Sequence, residues 1–197
     1  MRIQSMKKKV GCSTTRAGAN FRVIAAMLFY VAAAGAQALE LSSPDIAEGK
    51  PLNSTQVYKG FGCDGGDQSP ALNWSGAPDG TKSFAVTVYD PDAPTGSGWW
   101  HWVVYDIPAS TKNLAAGVGK VDMPVTIGKQ ARNDFGTYEF GGACPPAGDK
   151  PHHYIFTVYS LKTENLGVPK DASAALIGFM LHAQSLGKAA IAARFGR

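Results

Sequence analysis

The chain has 197 residues, 45% hydrophobic and 17% charged, with 23 Gly, 12 Pro and 3 Cys. That length suits one domain with a leader, and an ordinary apolar fraction with aromatics from Phe21 to Phe195 excludes a disordered chain. The formal charge of +4 is unevenly spread: six bases and no acids precede Leu39, whereas 13 Lys and Arg meet 15 Asp and Glu from there on, a net of −2. No clustered basic patch is left for nucleic acid, and no collagen, heptad or tandem repeat is present.

In chain order, residues 1–38 read as a cleaved secretory signal peptide. Arg2, Lys7, Lys8, Lys9, Arg16 and Arg22 lead into the apolar run Val23–Ala36, and Ala36-Gln37-Ala38 supplies a cleavage signal. The run is shorter than the roughly 20 residues that a membrane span needs, so an uncleaved anchor is the lesser reading. Translation can start at Met1 or Met6, and Cys12 leaves with the leader. The expected product is residues 39–197, periplasmic or secreted, with no transmembrane segment. Cys63 and Cys144 then remain, and an oxidising compartment permits a bridge between them. Two free thiols in Gly-rich loops are the alternative.

Residues 39–197 consist mainly of short strand-like runs. Ser83–Tyr89 alternates, with Phe84, Val86 and Val88 on one face, and Trp102–Ile107 and Tyr154–Leu161 are rich in β-branched and aromatic residues. Turn signals separate them, as in Ala77-Pro78-Asp79-Gly80. A helix is predicted over Ala174–Leu186, capped by Asp171 and ended by Gly187, with His182 as a structural residue on it. Ala189–Phe195 reads as a last strand or a second helix. This order indicates a mainly β, antiparallel sandwich in one domain, not a βαβ fold.

Two segments concentrate polar chemistry. In Asp90-Pro91-Asp92-Ala93-Pro94 the prolines stiffen a turn that holds two carboxylates, and Trp99, Trp100, His101 and Trp102 follow. The second is Cys144-Pro145-Pro146 running to His152-His153-Tyr154, where strand alternation puts His152 and Tyr154 on one face and His153 on the other. An anion needs donors, which His101, His152, the Tyr154 hydroxyl and the Gly141-Gly142 backbone can supply. The carboxylates can orient the imidazoles and accept from an ammonium group, with aromatic faces for cation–π contact. Binding should then strengthen as the histidines take up protons.

These residues carry a resemblance to the phosphatidylethanolamine-binding protein (PEBP) family, also called the Raf kinase inhibitor protein family, and above all to its small bacterial members. The family's D-P-D-A-P signature is matched at Asp90–Pro94 with a following His101, and its second signature at Gly142–Pro146 and His152–Tyr154. Ser69-Pro70-Ala71-Leu72 and Arg132-Asn133-Asp134-Phe135-Gly136 resemble further blocks of bacterial members. The resemblance implies an antiparallel β-sandwich with a large central sheet, a smaller flanking sheet and a short C-terminal helix. It also implies a small anion pocket for phosphate-bearing head groups such as phosphorylethanolamine. Carried over by position, the ligand-binding residues are Asp90, Asp92, His101, Pro145, His152 and Tyr154, with no catalytic residue, metal or cofactor.

Two rival readings remain. One is a protein-interaction modulator, such as a kinase or protease inhibitor-like protein, with a Trp99-Trp100 loop as anchor. The other is a metal-dependent hydrolase built on Asp90, Asp92, His101 and His152, although H-E-x-x-H, G-x-S-x-G and Walker motifs are missing. Either a monomer or a homodimer is compatible with the sequence.

Overall fold

The computed structural model describes Gly11 and residues 38–197. The predicted leader run and Cys12 lie outside the described residues. In chain order the strands are β1 (Glu40–Ser42), β2 (Lys59–Gly60), β3 (Cys63–Asp64), β4 (Leu72–Ser75), β5 (Ser83–Asp90), β6 (Trp99–Pro108), β7 (Asn113–Leu114), β8 (Lys129–Gln130) and β9 (His152–Leu161). Helix α1 (Ala174–Gln184) and strand β10 (Ser185–Phe195) complete the chain.

Five strands form the central antiparallel sheet in the order β10-β9-β5-β6-β8. A three-stranded sheet, β1-β4-β7, flanks it, and β2 and β3 form a small hairpin. The fold is mainly β, with one short helix near the C-terminus.

Burial on both faces explains why β5 reads Phe84-Ala85-Val86-Thr87-Val88. Phe84, Val86 and Val88 pack toward the flanking sheet, with Leu72, Trp74, Trp102, Tyr154 and Phe156 in the same core. Ala85, Val103, Tyr105 and Leu161 face the other way and meet Ile177 and Leu181 of α1. Fully burying side chains of this size stabilises the fold by roughly 1.5–3 kcal/mol each. The sheet that positions the site is therefore clamped between two layers.

In the C-terminal segment the helix boundaries and His182 differ from the sequence reading, and the tail takes the first of its two expected forms. Ser173, not Asp171, caps α1: its backbone is extended and its hydroxyl accepts from the Leu176 N–H at 3.2 Å, whereas Asp171 lies outside the first turn. The helix ends at Gln184 because Ser185 turns extended to pair with Leu161, so Leu186 and Gly187 belong to β10. The tail is a strand, paired along the length of β9 from Leu161 to His152. His182 is exposed on α1 and is not a core residue.

Trp99 and Trp100 also differ from their reading as a loop. They open β6, both half-buried, with alternation sending them to opposite faces. Trp100 packs with the α1 layer, where Gly178 allows contact: a Cβ there would lie 3.0 Å from the Trp100 ring.

Candidate functional site

β5 delivers Asp90 to the end of the central sheet, and the following Pro91 cannot continue the ladder. The buried Asp90 side chain closes the turn itself, its Oδ1 accepting the Asp92 N–H at 2.8 Å. Its Oδ2 accepts from His152 Nδ1 at 2.7 Å, where β9 begins. A carboxylate only accepts, so this bond fixes the proton on Nδ1 and leaves Nε2 for the cavity. Asp149 Oδ2 lies 3.5 Å from that Nε2 and is partly exposed.

His101 is buried on β6. Its Nδ1 donates to the Gly141 carbonyl at 2.8 Å, and the Gly141 N–H returns a bond to the His101 carbonyl at 3.0 Å. Asn133 Nδ2 also donates to the His101 carbonyl, at 3.2 Å. Burial pushes the His101 imidazolium below its ordinary 6.5, outweighing the Gly141 bond and the Asp90 charge, which favour protonation. The ring stands edge-on to Phe135 and Tyr154, with centroids 5.3 and 5.2 Å away.

Tyr154 follows His152 on the same face of β9, as alternation requires. Its hydroxyl is buried and has no hydrogen-bond partner of good geometry among the described residues; the nearby Cys144 backbone favours its ionised form only weakly. Burial, followed by the charges of Asp90 and Asp92, raises its titration far above the ordinary 10.0, so it stays a neutral donor.

These side chains surround a cavity of about 170 Å³, lined also by Phe61, Ala93, Pro94, Thr95, Trp99, Phe135, Cys144, Pro145 and Pro146. Drug-sized ligand pockets run about 300–1,000 Å³, so this one has room only for a small group. Its outer walls come from two loops held together. Cys63 and Cys144 are bridged, with sulfurs 2.12 Å apart. The Arg197 guanidinium donates to the carbonyls of Pro145 (2.8 Å), Gly62 (3.2 Å) and Phe61 (3.1 Å).

Of the residues named from sequence, Asp90, His101, Pro145, His152 and Tyr154 converge on this cavity. Asp92 does not line it. Its Oδ2 turns instead to His153, accepting from the backbone N–H and from Nδ1, both at 2.7 Å. Partial burial raises the Asp92 carboxyl, but the His153 bonds and the nearby imidazole charges outweigh it, leaving it below the ordinary 3.8. Nor are the Gly141 and Gly142 amides free to serve an anion. Gly141 donates to His101, and Gly142 donates to Asp67 Oδ1 at 2.7 Å. Gly142 is needed for that approach, since a Cβ there would lie 2.5 Å from the Gln56 carbonyl oxygen.

Phe61, Thr95 and Phe135 were not singled out by sequence as lining residues. Phe135 had a signal, because it sits in the Arg132–Gly136 block, where Asn133 pins the segment to His101 and Asp134 Oδ2 accepts from the Trp100 N–H at 2.7 Å. Phe61 and Thr95 had none. Among the described residues, no group of three or more His, Cys, Asp or Glu is arranged to hold a metal ion, and no helix is long and apolar enough to cross a membrane.

Comparison with known proteins agrees with this architecture. A family model described as phosphatidylethanolamine-binding protein matches residues 42–196. The Escherichia coli protein YbcL is 54% identical over 84% of this chain and 91% of its own length. YbhB, also from Escherichia coli, is 49% identical over 80% of this chain and 99% of its own. The crystal structure of YbcL, described as a new member of the mammalian PEBP family, superposes with a TM-score of 0.77 at 53% identity, covering 81% of this chain and 98% of that one.

Proposed function

The chain belongs to the phosphatidylethanolamine-binding protein family, and from that premise we propose that it is an exported, non-catalytic protein that binds small phosphate-bearing head groups of the phosphorylethanolamine type. The observation that carries this reading is the unpartnered, buried Tyr154 hydroxyl beside His101 and His152 in a cavity of head-group size. A buried hydroxyl without a partner costs about 1–3 kcal/mol, which a ligand oxygen recovers.

Each imidazole gives its Nδ1 proton to the protein, so Nε2 meets the phosphate. A proton on Nε2, or one carried by the phosphate itself, makes that contact a hydrogen bond. Asp149, whose Oδ2 lies 3.5 Å from His152 Nε2, supplies a carboxylate for an ammonium end, and Trp99 and Phe135 of the cavity lining supply aromatic faces. Export is supported by the signal-peptide pattern of residues 1–38 and by the Cys63–Cys144 bridge, which an oxidising compartment preserves.

Calorimetry with phosphorylethanolamine and with inorganic phosphate tests the proposal. The wild type should bind saturably and a His101→Ala/His152→Ala double variant should not. Lack of binding by the folded wild type would sink the head-group reading. A protein-interaction role would then lead, because Phe61 at the pocket wall is 68% exposed.

A further inference from the structure

The strand start that builds the first pocket also builds a second cavity. His152 points into the sheet and His153 away from it, and the Asp90-Pro91-Asp92 turn gives one carboxylate to each: Asp90 to His152, Asp92 to His153, both at 2.7 Å. The first pair is buried, with side chains 4–5% exposed. The second is 40–41% exposed. His153 borders a groove of about 650 Å³, together with Lys150, Pro151, Pro51, Leu52, Arg194 and Phe195.

Local structure accounts for the groove. Residues 49–52 run along the outer edge of β10: the Leu52 N–H donates to the Arg194 carbonyl at 2.7 Å, and the Arg194 N–H donates to the Lys50 carbonyl at 2.9 Å. This lays one wall, the Lys150-Pro151 loop lays the other, and the β9–β10 ladder lies between. His153 and Arg194 are directly opposed in that ladder, so their side chains share a face. Lys150 and Arg194 make no ion pair among the described residues.

We propose that this groove is a second ligand site, which takes an organic anion. A phosphate or carboxylate sits between Lys150 and Arg194, and a short apolar body lies on Pro51, Leu52, Pro151 and Phe195. Charge complementarity carries the assignment: two unpaired cations and a histidine face a wall of apolar side chains, and guanidinium matches either oxyanion in a fork. The volume lies within the small-molecule range, unlike that of the first pocket.

Titration of the protein with phenyl phosphate and, separately, with benzoate tests this, followed by backbone amide NMR in the presence and absence of saturating phosphorylethanolamine. Saturable shifts at His153, Arg194 and Phe195, persisting when phosphorylethanolamine is present, are expected with at least one probe, and the responding probe identifies the anion. Arg194→Gln and Lys150→Gln should each weaken that binding about tenfold or more. Both side chains are exposed, so these variants should retain the wild-type melting temperature; should one unfold, the other carries the test. Shifts confined to His101, His152 and Tyr154, or equal affinity in both variants, would overturn the second site. Failure of phosphorylethanolamine to bind would leave the groove measurement readable.

Discussion

His152 donates through Nδ1 to Asp90 Oδ2 across 2.7 Å, and the two side chains are only 5% and 4% exposed. Asp90 also accepts the Asp92 N–H, so one carboxylate sets both the turn and the imidazole tautomer. Asp90→Ala would strand two donors at once, the buried His152 Nδ1 and the part-buried Asp92 N–H. We expect a loss of about 2–5 kcal/mol in denaturant unfolding and a collapse of phosphorylethanolamine affinity. Asp90→Asn, which keeps the turn acceptor, should cost less. A fully stable Asp90→Ala protein would mean that water replaces the carboxylate and that His152 is oriented by other groups.

Tyr154→Phe separates binding from folding. The hydroxyl has no partner among the described residues, so its removal should leave stability unchanged or slightly raised. A ligand oxygen that it contacts would lose a hydrogen bond, worth about tenfold in affinity. Melting curves and calorimetry on the same samples decide the matter. A variant destabilised by more than about 1 kcal/mol would show that the hydroxyl is already satisfied in the free protein.

Much of the scaffold was legible in the sequence because it repeats with period two. Phe84, Val86 and Val88 share a core face as their alternation implied, and His152 and Tyr154 share theirs. What could not be read depends on partners far apart in the chain. The Gly141-Gly142 amides looked like anion donors, but His101 and Asp67, remote in sequence, consume them. Asp92 looked equivalent to Asp90, yet the turn at Pro91, the one residue between them, sends it to the opposite side of β9, toward His153. Phe61 and Phe135 reach the pocket from separate loops; Phe135 at least sits in the Arg132–Gly136 block, whereas no local pattern marks Phe61. The helix boundary was misjudged because Ser185 gains a strand partner, Leu161, that helix propensity does not register.

Proton linkage gives a third prediction. Burial holds the His101 imidazolium below 6.5 in the free protein, and an anion against Nε2 raises it again. Between those two values binding takes up a proton, so phosphate affinity should rise as pH falls across that window and level off below the free-state value. The same shift acts on folding with the opposite benefit. The unfolded imidazole titrates near 6.5 and the folded one lower, so the unfolded chain holds more protons and stability falls as pH drops through that interval. Calorimetry in buffers of different ionisation heat measures the uptake. Affinity that stays flat from mildly acidic to mildly basic pH would remove His101 from the binding mechanism.

The outer walls of the pocket depend on covalent and hydrogen-bonded ties that the sheet does not provide. Cys63 and Cys144 are 81 residues apart in sequence, so their bridge restricts a long loop of the unfolded chain, worth about 4 kcal/mol. Arg197 ties the same two loops through three carbonyls, at Phe61, Gly62 and Pro145. The core lies elsewhere, between the central sheet and its two covering layers. Cys63→Ser/Cys144→Ser should therefore lower the melting temperature yet leave a folded β protein. Arg197→Ala should change stability less and release Phe61 and Pro145 from each other. Both variants should bind phosphorylethanolamine more weakly, chiefly through faster dissociation, because the walls no longer close together over the ligand. Stopped-flow dissociation followed by Trp99 fluorescence reads this directly. If dissociation is unchanged in both variants, the buried trio of His101, His152 and Tyr154 retains the ligand without help from the rim.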